Sequence, residues 1–260
     1  MMGIPIVDTH AHLCSEEFDR DLPHVLKRAK AAGVTGIVAV GEDLRDAHRN
    51  LSLSRLDPAV LPAAGLYPTI LDIAQARKLH DFIIQNKNTL VAIGEVGLDY
   101  WKIKGEDERE IQREIFRSFI RLSNKLGLPL NVHSRSAGRH AIAILLEEDA
   151  RRVQLHAFDG RASTAMPGVE AGFFFSIPPS VVRSRQKQKL VKQLPLERLL
   201  VETDSPVLGP DPKKRNEPAN ALQVISAIAE IKKANEETIA EAIFENTKRL
   251  YQASAFFRGL

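Results

Sequence analysis

Four imidazoles and two carboxylates stand at the downstream ends of five apolar, β-rich runs of this chain: His10 and His12, Glu95, His133, His156 and Asp204. Neutral imidazoles and carboxylates are the side chains that hold divalent first-row metals in open, water-activating sites. Alternation along a strand points His10 and His12 the same way, with Asp8 beside them, so a His-x-His pair can reach one metal. Alone that pair carries little weight, because a histidine next to an apolar strand is more often a hydrogen-bonded core residue. Glu95 or Asp204 alone fits a helix cap or an ion pair equally well. The joint placement decides the matter. His133 ends Leu-Asn-Val-His, His156 ends Val-Gln-Leu-His, Glu95 ends Ala-Ile-Gly-Glu, and Asp204 ends Leu-Val-Glu-Thr-Asp.

Six donors are too many for one tetrahedral site with an open position, and they suit two divalent ions sharing a carboxylate. Glu95 is the expected bridge, because its strand lies between the His-x-His strand and the later histidines. Asp204 can hold one ion while accepting a proton from the attacking water. Glu202 faces the same way as Asp204 one layer deeper, where it would hydrogen-bond to the ligands. These residues describe a metal-dependent hydrolase. His24, His48, His80 and His140 fall in helical or loop stretches and read as surface residues, and Cys14 reads as packing.

Groups so far apart in the chain meet only if the strands end at a common mouth. Eight β-rich runs alternate with amphipathic stretches: residues 5–12, 34–40, 61–67, 90–99, 128–134, 152–158, 172–177 and 198–204. Helical patterns lie between them, at 22–32, 106–126 and 141–148 for example, with Gly33 and Gly127 placed as C-terminal caps. Such alternation predicts a mainly parallel sheet, and eight repeats favour an α/β fold of one (β/α)8 TIM barrel over 1–260, with the metal site at the C-terminal ends of the strands. Residues 220–250 read as two closing helices, with Asn235 stopping the first and Thr238 too late to cap the second. Pro178, Pro179, Pro206, Pro210 and Pro212 cluster in loops that would form the mouth.

With 260 residues and 44% hydrophobic content the chain can bury a large core. No run approaches the ~20 apolar residues of a membrane span, and the first residues lack the pattern of a secretory signal. The single cysteine excludes an internal disulfide and fits a reducing compartment, so an intracellular location in cytoplasm or nucleus is expected. A net charge of +3 does not by itself mark a nucleic-acid binder. The basic blocks Arg183, Arg185, Lys187, Lys189 and Lys192, and Lys213, Lys214 and Arg215, could both touch phosphate, although the first reads more readily as a solvated helix face.

The motifs Val-Asp-Thr-His-Ala-His-Leu (7–13), Ala-Ile-Gly-Glu-Val-Gly-Leu-Asp-Tyr (92–100), Leu-Pro-Leu-Asn-Val-His-Ser-Arg (128–135), His-Ala-Phe-Asp-Gly (156–160), Val-Glu-Thr-Asp-Ser-Pro (201–206) and Arg-Asn-Glu-Pro (215–218) resemble those of the TatD deoxyribonuclease family, in the metal-dependent hydrolase superfamily. The segments 133–139 and 174–180 are especially similar to the TatD-domain-containing type 3 proteins. The resemblance implies hydrolysis of DNA phosphodiesters with two Mg²⁺ or Mn²⁺ ions, Zn²⁺ being a further option, commonly as a 3′–5′ exonuclease acting on single strands or 3′ ends. It implies that His10, His12 and Asp204 hold the first ion, His133 and His156 the second, and that Glu95 bridges. Arg135 becomes a candidate phosphate clamp, and Arg215 and Asn216 either contact substrate or pin their loop. One departure concerns Tyr67, which stands where many members carry the histidine of a Gly-x-His-Pro motif; its hydroxyl can still hydrogen-bond phosphate. Asp159 replaces a common serine, as in the type 3 branch.

Two other readings compete. A related amidohydrolase would act on an amide, lactone or small phosphoester, but such enzymes often bridge their metals with a modified lysine, and the fourth run contains none. A catalytically silent nucleic-acid-binding barrel would be expected to lack a ligand, and none is missing. Tyr100 and Trp101 could stack a base at the mouth or pack the loop, while residues 173–175, all phenylalanine, read as core and rim. No obligate protein partner and no membrane are indicated.

Overall fold

A computed structural model describes residues 3–252. Eight strands run parallel, each paired with the next in chain order. They are β1 (Ile6–Ala11), β2 (Val34–Ala39), β3 (Val60–Ala64), β4 (Ala92–Gly97), β5 (Leu130–His133), β6 (Val153–Leu155), β7 (Phe174–Ile177) and β8 (Leu199–Val201). The helices between and after them are α1 (Leu22–Ala31), α2 (Leu44–Leu56), α3 (Ile73–Asn86), α4 (Glu106–Leu126), α5 (Gly138–Glu147), α6 (Ala162–Glu170), α7 (Arg185–Gln193), α8 (Ala221–Lys232) and α9 (Glu236–Tyr251). A parallel bridge between Ala11 and Ser205 joins the last strand's extension to the first and closes the barrel. The expected TIM barrel is what forms. The expected single unit over 1–260 also takes in residues 1–2 and 253–260, which lie outside the described residues.

Helix ends follow local chemistry. Three acids, Glu106, Asp107 and Glu108, occupy the first turn of α4, where they complement the helix dipole, and Gly127 ends it at φ 69. The faces these helices bury, such as Phe116, Phe119 and Ile120 of α4, pack on the outer surface of the barrel. Full burial of one such side chain contributes roughly 1.5–3 kcal/mol. Asn235 departs from expectation. It does not stop α8, which ends at Lys233 in the left-handed region (φ 56); instead its side chain caps α9 by accepting from the Thr238 amide.

The interior of the barrel is polar beneath its mouth. Gln154 Nε2 donates to Thr9 Oγ1 (2.9 Å) and Ser176 Oγ (2.8 Å), and the Ser176 hydroxyl donates to Glu202 Oε2 (2.5 Å). Tyr251, at the end of α9, donates to Gln154 Oε1 (2.6 Å) and closes the floor among Val7, Val38, Leu61 and Leu200. The pairing of β1 with β2 shifts after Ile6 and again after Asp8, so strict alternation breaks down there. Asp8 does not reach the donor cluster: its carboxylate accepts from the Thr203 amide and hydroxyl and from the His10 amide. It clasps β1 to the extension of β8. Phe173 and Phe175 pack outward and Phe174 inward, as core residues.

Candidate metal centre

Each candidate donor sits within three residues of the downstream end of its strand, and the barrel gathers all six. His10 Nδ1 lies 2.8 Å from Asn131 Oδ1, while Asn131 Nδ2 donates to the Thr9 carbonyl (2.9 Å). The amide therefore turns its oxygen to the imidazole, His10 Nδ1 carries the proton, and Nε2 keeps a lone pair for the mouth. That Nε2 lies 3.3 Å from His12 Nε2. Asp204 Oδ1 is 3.5 Å from both of these nitrogens. The backbone of Asp204 is left-handed (φ 54), uncommon for a residue with a side chain, and is pinned to β1 because its amide donates to the His10 carbonyl (2.8 Å).

Glu95 divides its two oxygens. Oε1 lies 2.5 Å from His133 Nδ1 and 2.8 Å from His156 Nε2. Oε2 lies 3.3 Å from His12 Nε2 and 3.8 Å from His10 Nε2. The backbone at Glu95 has no slack: a Cβ on Gly65 would stand 2.5 Å from the Glu95 carbonyl oxygen, and one on Gly97 (φ 143) 2.1 Å from that of His133. On its far side, His133 Nε2 faces Asp99 Oδ2 at 3.3 Å. The rings of His10 and His156 stack with centroids 3.8 Å apart. Glu202 accepts from the Ala157 amide (2.8 Å) and lies 3.9 Å from His156 Nδ1, beneath the cluster.

The electrostatics are those of a cation site. Burial disfavours the Glu95 anion, but the facing His156 and His133 outweigh it and hold the carboxyl well below its ordinary value. Asp204 is likewise held down against burial by His12 and His10. His133 is pushed up to about 9, with Glu95 overcoming burial. His12 and His156 also rise against burial, through Asp204 and Glu95 for His12 and through Glu95 for His156. His10, buried and facing His156, falls to about 3. Glu202 rises to about 7 and Asp8 to about 8, both through burial. A metal ion competes with the protons on such imidazoles and displaces them. Glu95 Oε2 is buried and makes no hydrogen bond, as is true of His156 Nδ1. A buried, unbonded carboxylate oxygen facing nitrogen donors is a fitting cation ligand, and the mixed nitrogen and oxygen set suits a divalent metal ion.

Above the donors opens a cavity of about 770 Å³, lined by His12, Glu95, His133, His156 and Asp204 together with Tyr67, Arg135 and others. Tyr67 meets His133 edge-on at 5.2 Å between centroids, and burial raises its hydroxyl's pKa, so it stays a neutral donor. Arg135 places its guanidinium 3.8 Å from the ring centre of exposed Trp101. Tyr100, by contrast, is buried and packs its loop, accepting from Arg113. Arg215 and Asn216 are not brought to the cavity. Arg215 grips the Asp21 carboxylate and donates to the Glu17 carbonyl, while buried Asn216 donates to the carbonyls of Thr203 and Val207. These contacts pin their loop. Cys14 is buried, and burial pushes its thiol up, which disfavours the thiolate a metal needs. His80 is half-buried against Phe119 rather than a free surface residue.

Three residues with contacts to the centre escaped notice in the sequence. Asn131 stands two residues before His133 on β5, so strand alternation alone places it on the same face. Asp99 lies inside a recognised motif without an assigned role. Lys187 was visible only as one member of a basic block that reads more readily as solvated, yet it is buried in the cavity wall.

A family model described as TatD related DNase matches residues 7–252. The human protein named deoxyribonuclease TATDN3 is 46% identical over 265 aligned residues, covering 96% of this chain and 95% of its own. A Bacillus subtilis protein, the metal-dependent hydrolase YabD, is 36% identical over 95% of this chain and 99% of its own. The crystal structure of the TatD homologue YjjV from Escherichia coli superposes with a TM-score of 0.87 at 27% identity, covering 95% of this chain and 98% of that one.

Proposed function

Because the chain belongs to the TatD related DNase family, we propose that it is a divalent-metal-dependent deoxyribonuclease that hydrolyses DNA phosphodiesters, trimming single strands from their 3′ ends. The observation that carries this reading is the split of Glu95, with Oε1 toward His133 and His156 and Oε2 toward His10 and His12. In it His10, His12 and Asp204 would hold one ion, His133 and His156 a second, and Glu95 would be shared between them, with Mg²⁺ or Mn²⁺ preferred over Zn²⁺. Such ions would supply Lewis acidity that lowers the pKa of water and offsets charge growing on a phosphoryl oxygen. Asp204 accepts the proton lost by the attacking water. Asn131 and Asp99 hold the imidazoles of His10 and His133 in their working orientations, and Glu202 supports His156 through the following peptide. Arg135 and the Tyr67 hydroxyl take phosphate oxygens at the cavity wall. No helix among the described residues is long and apolar enough to cross a membrane. A reducing interior, cytoplasm or nucleus, suits the unpaired Cys14.

The test compares the purified protein and Glu95→Ala with Mg²⁺, Mn²⁺, Zn²⁺ or EDTA on single-stranded DNA, duplex DNA, RNA, amides and small phosphoesters. The reading predicts cleavage of DNA that EDTA stops and that Glu95→Ala lowers by at least ~10³-fold while the fold persists. Turnover confined to amides, or full activity in Glu95→Ala, would reject it.

A further inference from the structure

The cavity wall contains three cations, Arg45, Arg135 and Lys187. Arg45 is exposed and lies beside Glu16 (3.6 Å) and Asp46 (3.9 Å) on the rim above β1 and β2. Arg135 lies at the outer edge, over Trp101. Lys187 differs from both. It belongs to the first turn of α7, is only 8% exposed, and reaches the wall where His156, Asp159 and Asp204 also line the cavity. Its Nζ donates to the Ala157 carbonyl (3.0 Å), and no carboxylate among the described residues comes within 4 Å of it. An ammonium has three donors; one is taken by the Ala157 carbonyl, and the side chain lines the open cavity where the others can meet an anion.

The rest of the rim tells an anion where to lie. Glu16, Glu17, Glu42 and Asp46 crowd the β1–β2 side, which repels a polyanion. Lys187 and Arg135 stand on the β5–β7 side, where exposed Arg183 precedes α7 and α7 itself carries exposed Arg185, Lys189 and Lys192. Burial lowers the pKa of Lys187, opposed by Glu202, Asp204 and Asp159. These carboxylates favour its charged form without consuming its hydrogen bonds.

We propose that Lys187 is a substrate-binding residue whose ammonium takes a phosphate oxygen of the DNA strand seated between Asp204 and Arg135. This rests on the nuclease reading above. Lys187 also holds the peptide that follows His156, so a purely structural role must be separable from phosphate binding.

The measurement is the salt dependence of binding of a short fluorescein-labelled single-stranded oligonucleotide, in Ca²⁺ and again in EDTA, for the full chain, Lys187→Met and Lys187→Arg. Mn²⁺ titration of each protein, with a thermal melt, runs alongside. Loss of one phosphate contact predicts about tenfold weaker binding for Lys187→Met and a slope of log K against log salt shallower by about 0.7. Mn²⁺ affinity stays unchanged, and Lys187→Arg restores the slope. An unchanged slope in Lys187→Met, with or without weaker Mn²⁺ binding, overturns the proposal and leaves Lys187 a prop for the Ala157 peptide. Should the unaltered protein neither bind nor cleave DNA, the nuclease reading falls first and this inference falls with it.

Discussion

The chemistry of the centre depends on which nitrogen of each imidazole faces it, and residues outside the donor set decide that. Asn131 commits His10 to present Nε2, because its own amide group is already oriented by the Thr9 carbonyl. Removing both contacts in Asn131→Leu frees the ring to rotate or change tautomer. Its expected effect is a 10- to 100-fold loss in affinity for Mn²⁺, the usual cost of losing such a partner, measured by calorimetric titration. Unchanged affinity in a folded variant would show that the stack on His156 suffices to hold the ring. At this scale the donor types and the place of Glu95 among the four histidines were legible in the sequence, because each closes an apolar run. Lys187 was not legible. A lysine spaced like its exposed neighbours carries no mark of burial until the helix is docked.

Elements position these residues by their ends. Every donor lies within three residues of a strand's downstream end, and the short strands leave little play: β6 and β8 span three residues each. Sequence patterns located all eight strands but overran several, since apolar character continues into the buried loops after them. The helix patterns erred where capping chemistry was ambiguous. Asn235 follows one helix and precedes the next, and a side-chain oxygen aimed at the Thr238 amide makes it a start signal rather than a stop. Asn235→Ala should cost ~1 kcal/mol and lower the melting temperature by roughly 2–4 °C, with DNA cleavage untouched. A variant that melts normally would deny the cap its contribution. One that lost activity would tie α9 to the centre, through Tyr251 and Gln154 beneath it.

For the molecule as a whole, barrel closure turns six remote side chains into one centre. Alternating strands and helices predicted that convergence, and β1 and β8 complete it through the Ala11–Ser205 bridge and the Asp8–Thr203 clasp. The polar layer inside the barrel could not be read from composition, because Thr9, Asn131, Gln154 and Ser176 look like ordinary strand residues until the ring closes. The charge division of the mouth is likewise a property of the assembled loops. The central claim is that Glu95 stands between two ions. Anomalous diffraction at the manganese edge, from a crystal soaked in Mn²⁺, tests it most directly. Two peaks should flank the Glu95 carboxylate, one against His10, His12 and Asp204 and the other against His133 and His156. A lone peak touching only one of those sets, or peaks that leave Glu95 uncoordinated, would contradict it.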